Sequence, residues 1–173
     1  METFADILKI TIPAILVLAT AWFILSSLIK NEQEKRRQEL ILQNNHTVLP
    51  IKLQAYERVV LFLERISLES MLVRVSTPNM TASQLHTALL TNIRNEFEHN
   101  LSQQIYMSPQ AWEIVRNARS GMIKMINSEV ETLPKEATSI DLSKSLVEAV
   151  MKLEKEPTHA AIDYIKSEVS KII

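Results

Sequence analysis

The chain contains no cysteine and, in 173 residues, a single glycine, Gly121. Without cysteine there are no disulfides, no thiolate metal sites and no cysteine nucleophile. Average glycine usage is about 7%. A chain so poor in it has few positive-φ turns, no Walker A phosphate loop and no dinucleotide fingerprint. That scarcity also argues against an all-β fold, whose hairpins lean on glycine. Neither sign of charge dominates, with 19 Lys+Arg against 20 Asp+Glu. There is no dominant basic patch and no interleaving of basic with aromatic residues, so no nucleic-acid partner is expected. The six prolines carry most of the punctuation.

What the chain does have, near its start, is one long uncharged run. Residues 10–29 read ITIPAILVLATAWFILSSLI, bracketed by Lys9 and Lys30. About 20 apolar residues are what a helix needs to cross a bilayer. Thr11, Thr20, Ser26 and Ser27 can return their hydroxyls to the helix backbone. A cleaved signal peptide is the rival reading. It is disfavoured by the acidic start METFADILK and by apolar sequence continuing past Ala19-Thr20-Ala21. Basic residues are denser on the C-terminal side, at Lys30, Lys35, Arg36 and Arg37. That bias predicts a single-pass anchor in a bacterial inner membrane, with the N-terminus outside and the body cytoplasmic.

The rest reads as helix. The expected organisation is an anchor over 1–30, a charged juxtamembrane helix over 31–45 ended by Asn44-Asn45, and a cytoplasmic domain over 50–173. Pro50 is placed at the first turn of a new helix, PIKLQAYERVVLFLERIS. Leu53, Tyr56, Val60 and Leu63, with Val59, Phe62 and Ile66, give it two adjoining apolar stripes. A short helical turn follows over LESMLVRVSTPN. Thr81-Ala-Ser-Gln84 has capping-box form and opens a stripe of Leu85, Leu89, Ile93, Phe97, Leu101 and Ile105. Ser108-Pro109 caps a helix whose inner face is Trp112, Val115, Ala118, Met122, Ile126 and Val130. Two more helices are placed at about 141–155, with Leu142, Leu146, Val150 and Leu153 inward, and 157–171. The fold class is therefore all-α: one transmembrane helix, then a bundle of about five helices. Residues 30–124 hold a small excess of base and residues 125–173 an equal excess of acid; solvated helix faces account for this.

One stretch is unusually polar, NEFEHNLSQQIYMSPQAW at residues 95–112. Glu98 and His99 turn away from the apolar stripe. Glu96, Asn100 and Gln104 stack on its flank, where Asn100 or Gln104 can bond turn carbonyls or cap the helix carrying Trp112. Glu96-x-x-His99 and Glu156-x-x-His159 share the spacing of helical-bundle di-metal motifs. Pro157 interrupts the second pair, and no two further carboxylates lie on apolar faces. Serines sit at caps or polar faces, with no nucleophile elbow. No catalytic residue, metal ligand or cofactor site is assigned.

LQAYERVVLFLERIS and IRNEFEHNLSQQIYMSPQAW resemble signature segments of a bacterial family that carries only a domain-of-unknown-function label, and the resemblance covers nearly the whole chain. It implies an anchored helical protein and supplies no activity, cofactor or site. The expected role is a membrane-anchored scaffold, adaptor or accessory subunit that binds the bilayer through 10–29 and holds a protein partner or a second copy. The expected interaction surface is Tyr56, Val59, Phe62, Leu63 and Ile66, then Asn100, Gln104 and Trp112. The alternatives are a di-metal enzyme on the two Glu-x-x-His pairs and a lipid-surface module using Lys30, Lys35, Arg36 and Arg37.

Overall fold

The first third of the chain, an apolar run followed by a charged one, forms one helix. The computed structural model describes residues 2–172; the side chains of residues 2–14, 38 and 40–47 fall outside that description. Helix α1 is Glu2–Arg65. The expected stop at Asn44-Asn45 does not occur, and Pro50 lies inside the helix rather than opening one. A mid-helix proline removes one backbone bond and costs about 3 kcal/mol. The residues before it, Asn44, Asn45, His46, Thr47 and Val48, are only middling helix formers, so propensity does not explain the continuation; Pro50 itself is exposed. The chain nevertheless divides into two compact units at this point, 1–49 and 50–173.

In the first unit, Ile15–Arg37 is long and apolar enough to cross a membrane. The expected residues 10–14 of that span lie where side chains are not described. Trp22 and Phe23 are each 76% exposed, and the apolar side chains around them are exposed too. Thr20 Oγ1 donates to the carbonyls of Leu16 and Val17, both at 2.9 Å, and Ser26 Oγ donates to that of Trp22. These hydroxyls therefore need nothing from a surrounding apolar medium.

The second unit is an all-α bundle. After Pro50–Arg65 come α2 (Leu68–Val75), α3 (Ala82–Asn100), a 3-10 turn (Leu101–Tyr106), α4 (Pro109–Thr132), α5 (Ser139–Met151) and α6 (Pro157–Val169). Helix α4 is central and packs on α3, α5 and α6. Of the expected stripes, Leu85, Leu89 and Ile93 on α3, Trp112, Val115, Ala118, Met122 and Ile126 on α4, and Leu142 and Leu146 on α5 are buried, as are Ala161 and Ile165 on α6. Phe97 joins Phe62 to Trp112, stacking on Trp112 at 5.6 Å between centroids and tilting against Phe62 at 5.9 Å.

Two capping boxes set the register. Thr81 and Thr138 each accept from a backbone N–H three residues on, and Gln84 and Asp141 return the bond. The two threonines also form an isolated antiparallel bridge. Ala82 N–H donates to the Ala137 carbonyl at 2.9 Å, and Ser139 N–H to the Met80 carbonyl at 3.0 Å. The starts of α3 and α5 are thereby held side by side. Gly121 serves close approach: a Cβ there would lie 3.3 Å from the Pro157 ring, so α4 and the start of α6 meet where no side chain intervenes.

Candidate functional site

The polar stretch at 95–112 resolves as a helix end. α3 stops at Asn100, whose Nδ2 donates to the Glu96 carbonyl one turn back at 2.8 Å. The backbone then tightens into the 3-10 turn. Three residues per turn instead of 3.6 rotate the following side chains off the stripe. Leu101 and Ile105, expected in the core, are consequently exposed. Gln104 is exposed as well, and the helix carrying Trp112 is capped by Ser108, whose Oγ accepts from Ala111 N–H at 3.0 Å.

The expected interaction surface needs correction. Tyr56, Val59, Phe62, Leu63, Ile66, Asn100 and Trp112 are all buried inside this chain; only Gln104 faces solvent. The double apolar stripe of residues 50–66 is wide because its own bundle covers it on more than one side. Those residues are core, not a docking face.

The two Glu-x-x-His pairs are not brought together. Glu96 is taken by arginine: Oε1 accepts from Arg65 Nε at 2.8 Å and lies 4.0 Å from Arg74 Nη2. Arg74 also donates to the Arg65 carbonyl and to Asn92 Oδ1. Two guanidiniums around one carboxylate repel a cation. Glu156 lies elsewhere, 6% exposed, and works as a cap in trans. Ser67 precedes α2 without capping it through its side chain. Instead Glu156 Oε1 accepts from Leu68 N–H, the first of α2, at 2.8 Å. A buried carboxylate at a helix N-terminus satisfies an orphan donor and meets the positive end of the helix. His159 Nδ1 stands 3.7 Å from the other oxygen. Among the described residues no group of three His, Asp or Glu is placed to hold a metal ion.

Beside Glu156 opens a groove of about 800 Å³ lined by α2, the C-terminal end of α5, α6 and Glu64 at the end of α1. Its floor is apolar and closed, formed by Leu68 and Ile162 with Leu72 and Val150 half-buried. Its walls are apolar and open. Val73 is 83% exposed and Met151 79%, with Val147 and Leu153 also exposed. Its rim is charged. Lys155 is paired with Asp163, whose carboxyl the ammonium holds below the usual carboxylate range. Glu64, Glu69 and Glu154 make no ion pair among the described residues; the other basic groups on the rim are Lys166 and His159. The groove can hold an apolar ligand. It presents no nucleophile paired with a base and no set of donors converging on one point.

The groove was not anticipated. Leu153 was expected to continue the buried stripe of α5, but the helix ends at Met151 and Leu153 is exposed in the connection to α6. The signal was a surplus. α5 carries one stripe that the core consumes, Leu142-Leu146-Val150, and a second, Ile140-Val147-Met151, that it does not.

A family model described as a family of unknown function, DUF7935, matches residues 2–172. The chain belongs to that family. No curated protein and no solved structure matches it.

Proposed function

We propose that this protein is a membrane-anchored helical adaptor or accessory subunit, which holds a protein partner at a membrane surface. The observation that carries the reading is the open apolar groove on the folded unit. Its walls leave Val73, Val147, Met151 and Leu153 in water although four other helices offered cover. Scattered exposed apolar residues are ordinary, but a contiguous patch around a groove favours an interaction. The exposed run Ile15–Ile29 supports the anchor. Side chains such as Trp22 and Phe23 gain about 25 cal/mol for each Å² of apolar surface taken from water, which a bilayer supplies. The basic residues after that run favour a body on the cytoplasmic side of a bacterial inner membrane.

The test is purification of the tagged full-length chain from its native membranes in mild detergent, alongside Val147→Asp and Met151→Asp. The expected result is that the chain resists extraction by alkaline carbonate and brings a stoichiometric companion. Both variants should fold, because the replaced side chains are exposed, yet lose that companion. A chain released by carbonate, or a companion retained by both variants, would overturn the reading.

A further inference from the structure

The groove's chemistry narrows the partner, if the adaptor reading holds. We infer that it takes a basic amphipathic helix of a partner protein: one apolar face, flanked by lysine or arginine. Three observations point there. First, apart from Leu153 in the α5–α6 connection, the floor and walls are side chains of helices, with no open strand edge among the described residues, so an extended segment would find no backbone ladder to join. A helix laid between helices can set its ridges into their grooves. Second, the rim is acidic. Glu64, Glu69 and Glu154 stand without ion partners among the described residues, Lys155 is already neutralised by Asp163, and only Lys166 and the imidazole of His159 oppose them. Basic flanks on the incoming helix would meet complementary charge. Third, the same acid disfavours the other occupants. Anionic lipid headgroups would be repelled, and a second copy would bring one acidic rim against another.

The inference is tested with the full chain in phosphatidylcholine nanodiscs and three synthetic peptides of roughly 18 residues, about five helical turns. One is an amphipathic Leu/Lys helix with a photo-reactive residue on its apolar face. The second replaces every Lys by Glu. The third scrambles the Leu/Lys order to destroy the face. The expected result is that only the first binds, and that its cross-links map to α2 and to residues 147–153. The triple variant Glu64→Lys, Glu69→Lys, Glu154→Lys should weaken it by about tenfold or more and favour the Leu/Glu peptide instead. Equal binding of the Leu/Glu peptide by the unaltered chain would overturn the basic chemistry while leaving the docking groove in place. No binding by any peptide, or cross-links elsewhere, would overturn the helix-docking inference. The adaptor reading would then still be judged by its own co-purification.

Discussion

Tyr56 and Glu168 lie 112 positions apart in the chain, yet Tyr56 Oη donates to Glu168 Oε1 at 2.5 Å. The other oxygen of Glu168 accepts from Ser108 Oγ at 3.0 Å. Ser108 is itself the N-cap of α4. One carboxylate on α6 therefore ties together α1, the start of α4 and its own helix. Hydrogen bonds to charged acceptors contribute about 1.5–3 kcal/mol. Tyr56→Phe keeps the packing and removes the donor, so it is expected to cost about 1.5–3 kcal/mol on that scale. The check is a thermal melt of the full chain in one detergent, where each kcal/mol is worth roughly 2–4 °C for a chain of this size.

The same phenol predicts a pH dependence. Burial, reinforced by the bond to Glu168, pushes Tyr56 up to about 12 from an ordinary value near 10. The folded state thus holds this proton more tightly than the unfolded state. Its contribution to stability is fully present below about pH 10 and is lost as pH rises toward about 12, because the unfolded chain ionises first. Melting temperatures of the unaltered chain should fall more steeply over that window than those of Tyr56→Phe. Parallel curves would show that other groups set the alkaline limit.

The two capping boxes separate under acid. Asp141 is held below the usual carboxylate range, first by the Thr138 hydroxyl and then by the Thr138 N–H. A depressed folded pKa gives stability that is present above about pH 4 and lost as pH falls below it. Gln84 plays the same part opposite Thr81 and does not ionise. Near neutral pH, Thr81→Ala is expected to cost about 1 kcal/mol, the usual worth of a cap, and Thr138→Ala should also destabilise. Only the Thr138→Ala deficit should shrink as the pH is lowered through 4 to 3. Melts of both variants at pH 7 and pH 3 check it.

Much of this fold was legible in the sequence because its helices announce themselves locally. Thr81-x-x-Gln84, Ser108-Pro109 and the stripes at spacing three and four each depend on a few neighbouring residues. What was misread depends on the rest of the chain. Pro50 looked like a helix start, yet the helix runs through it. Leu101 and Ile105 continue the stripe of α3 on paper, and a change of helical pitch at Asn100 takes them out of the core. The wide apolar face at 50–66 could not be told from a docking surface, because its cover, including Phe97 and Glu168, comes from remote segments. The groove was hidden for the same reason in reverse. The second stripe of α5 was visible, but that nothing covers Met151 is a fact of tertiary packing.

Gly121 predicts a packing failure rather than a backbone one. Its Cα faces Pro157, and a Cβ would sit at 3.3 Å from two ring carbons. Alanine would gain about 1 kcal/mol of helix propensity over glycine, set against that tight contact. A larger side chain has no such compromise. Gly121→Leu must push the start of α6 away from α4, and overpacking of this kind costs typically about 1–3 kcal/mol. The displacement would also carry Glu156, the residue before Pro157, off the Leu68 N–H. Amide hydrogen exchange should therefore show faster exchange in α2 as well as in α6, whereas loosening confined to α6 would show that the trans cap survives.

Arg119 makes the opposite forecast, a charged residue whose loss is cheap. Its guanidinium carbon lies 4.3 Å from the centroid of the Phe97 ring, while Nε is buried without a hydrogen-bond partner. A cation over an aromatic face is worth about 0.5–1 kcal/mol where solvent is near. An unsatisfied buried donor costs about 1–3 kcal/mol. Methionine keeps the reach of the side chain and packs its sulfur against the ring. Arg119→Met is therefore expected to leave stability within about 1 kcal/mol of the unaltered chain, or to raise it. Phe97→Ala, which removes the half-buried ring that joins Phe62 to Trp112, should cost more than that, about 2 kcal/mol or more, below the about 3–5 kcal/mol of fully buried aromatic positions. The two melts compared in one detergent decide between the terms. A large loss in Arg119→Met would mean that the cation–ring contact outweighs the orphaned nitrogen, and that Arg119, rather than the aromatic stack alone, holds α4 against α3.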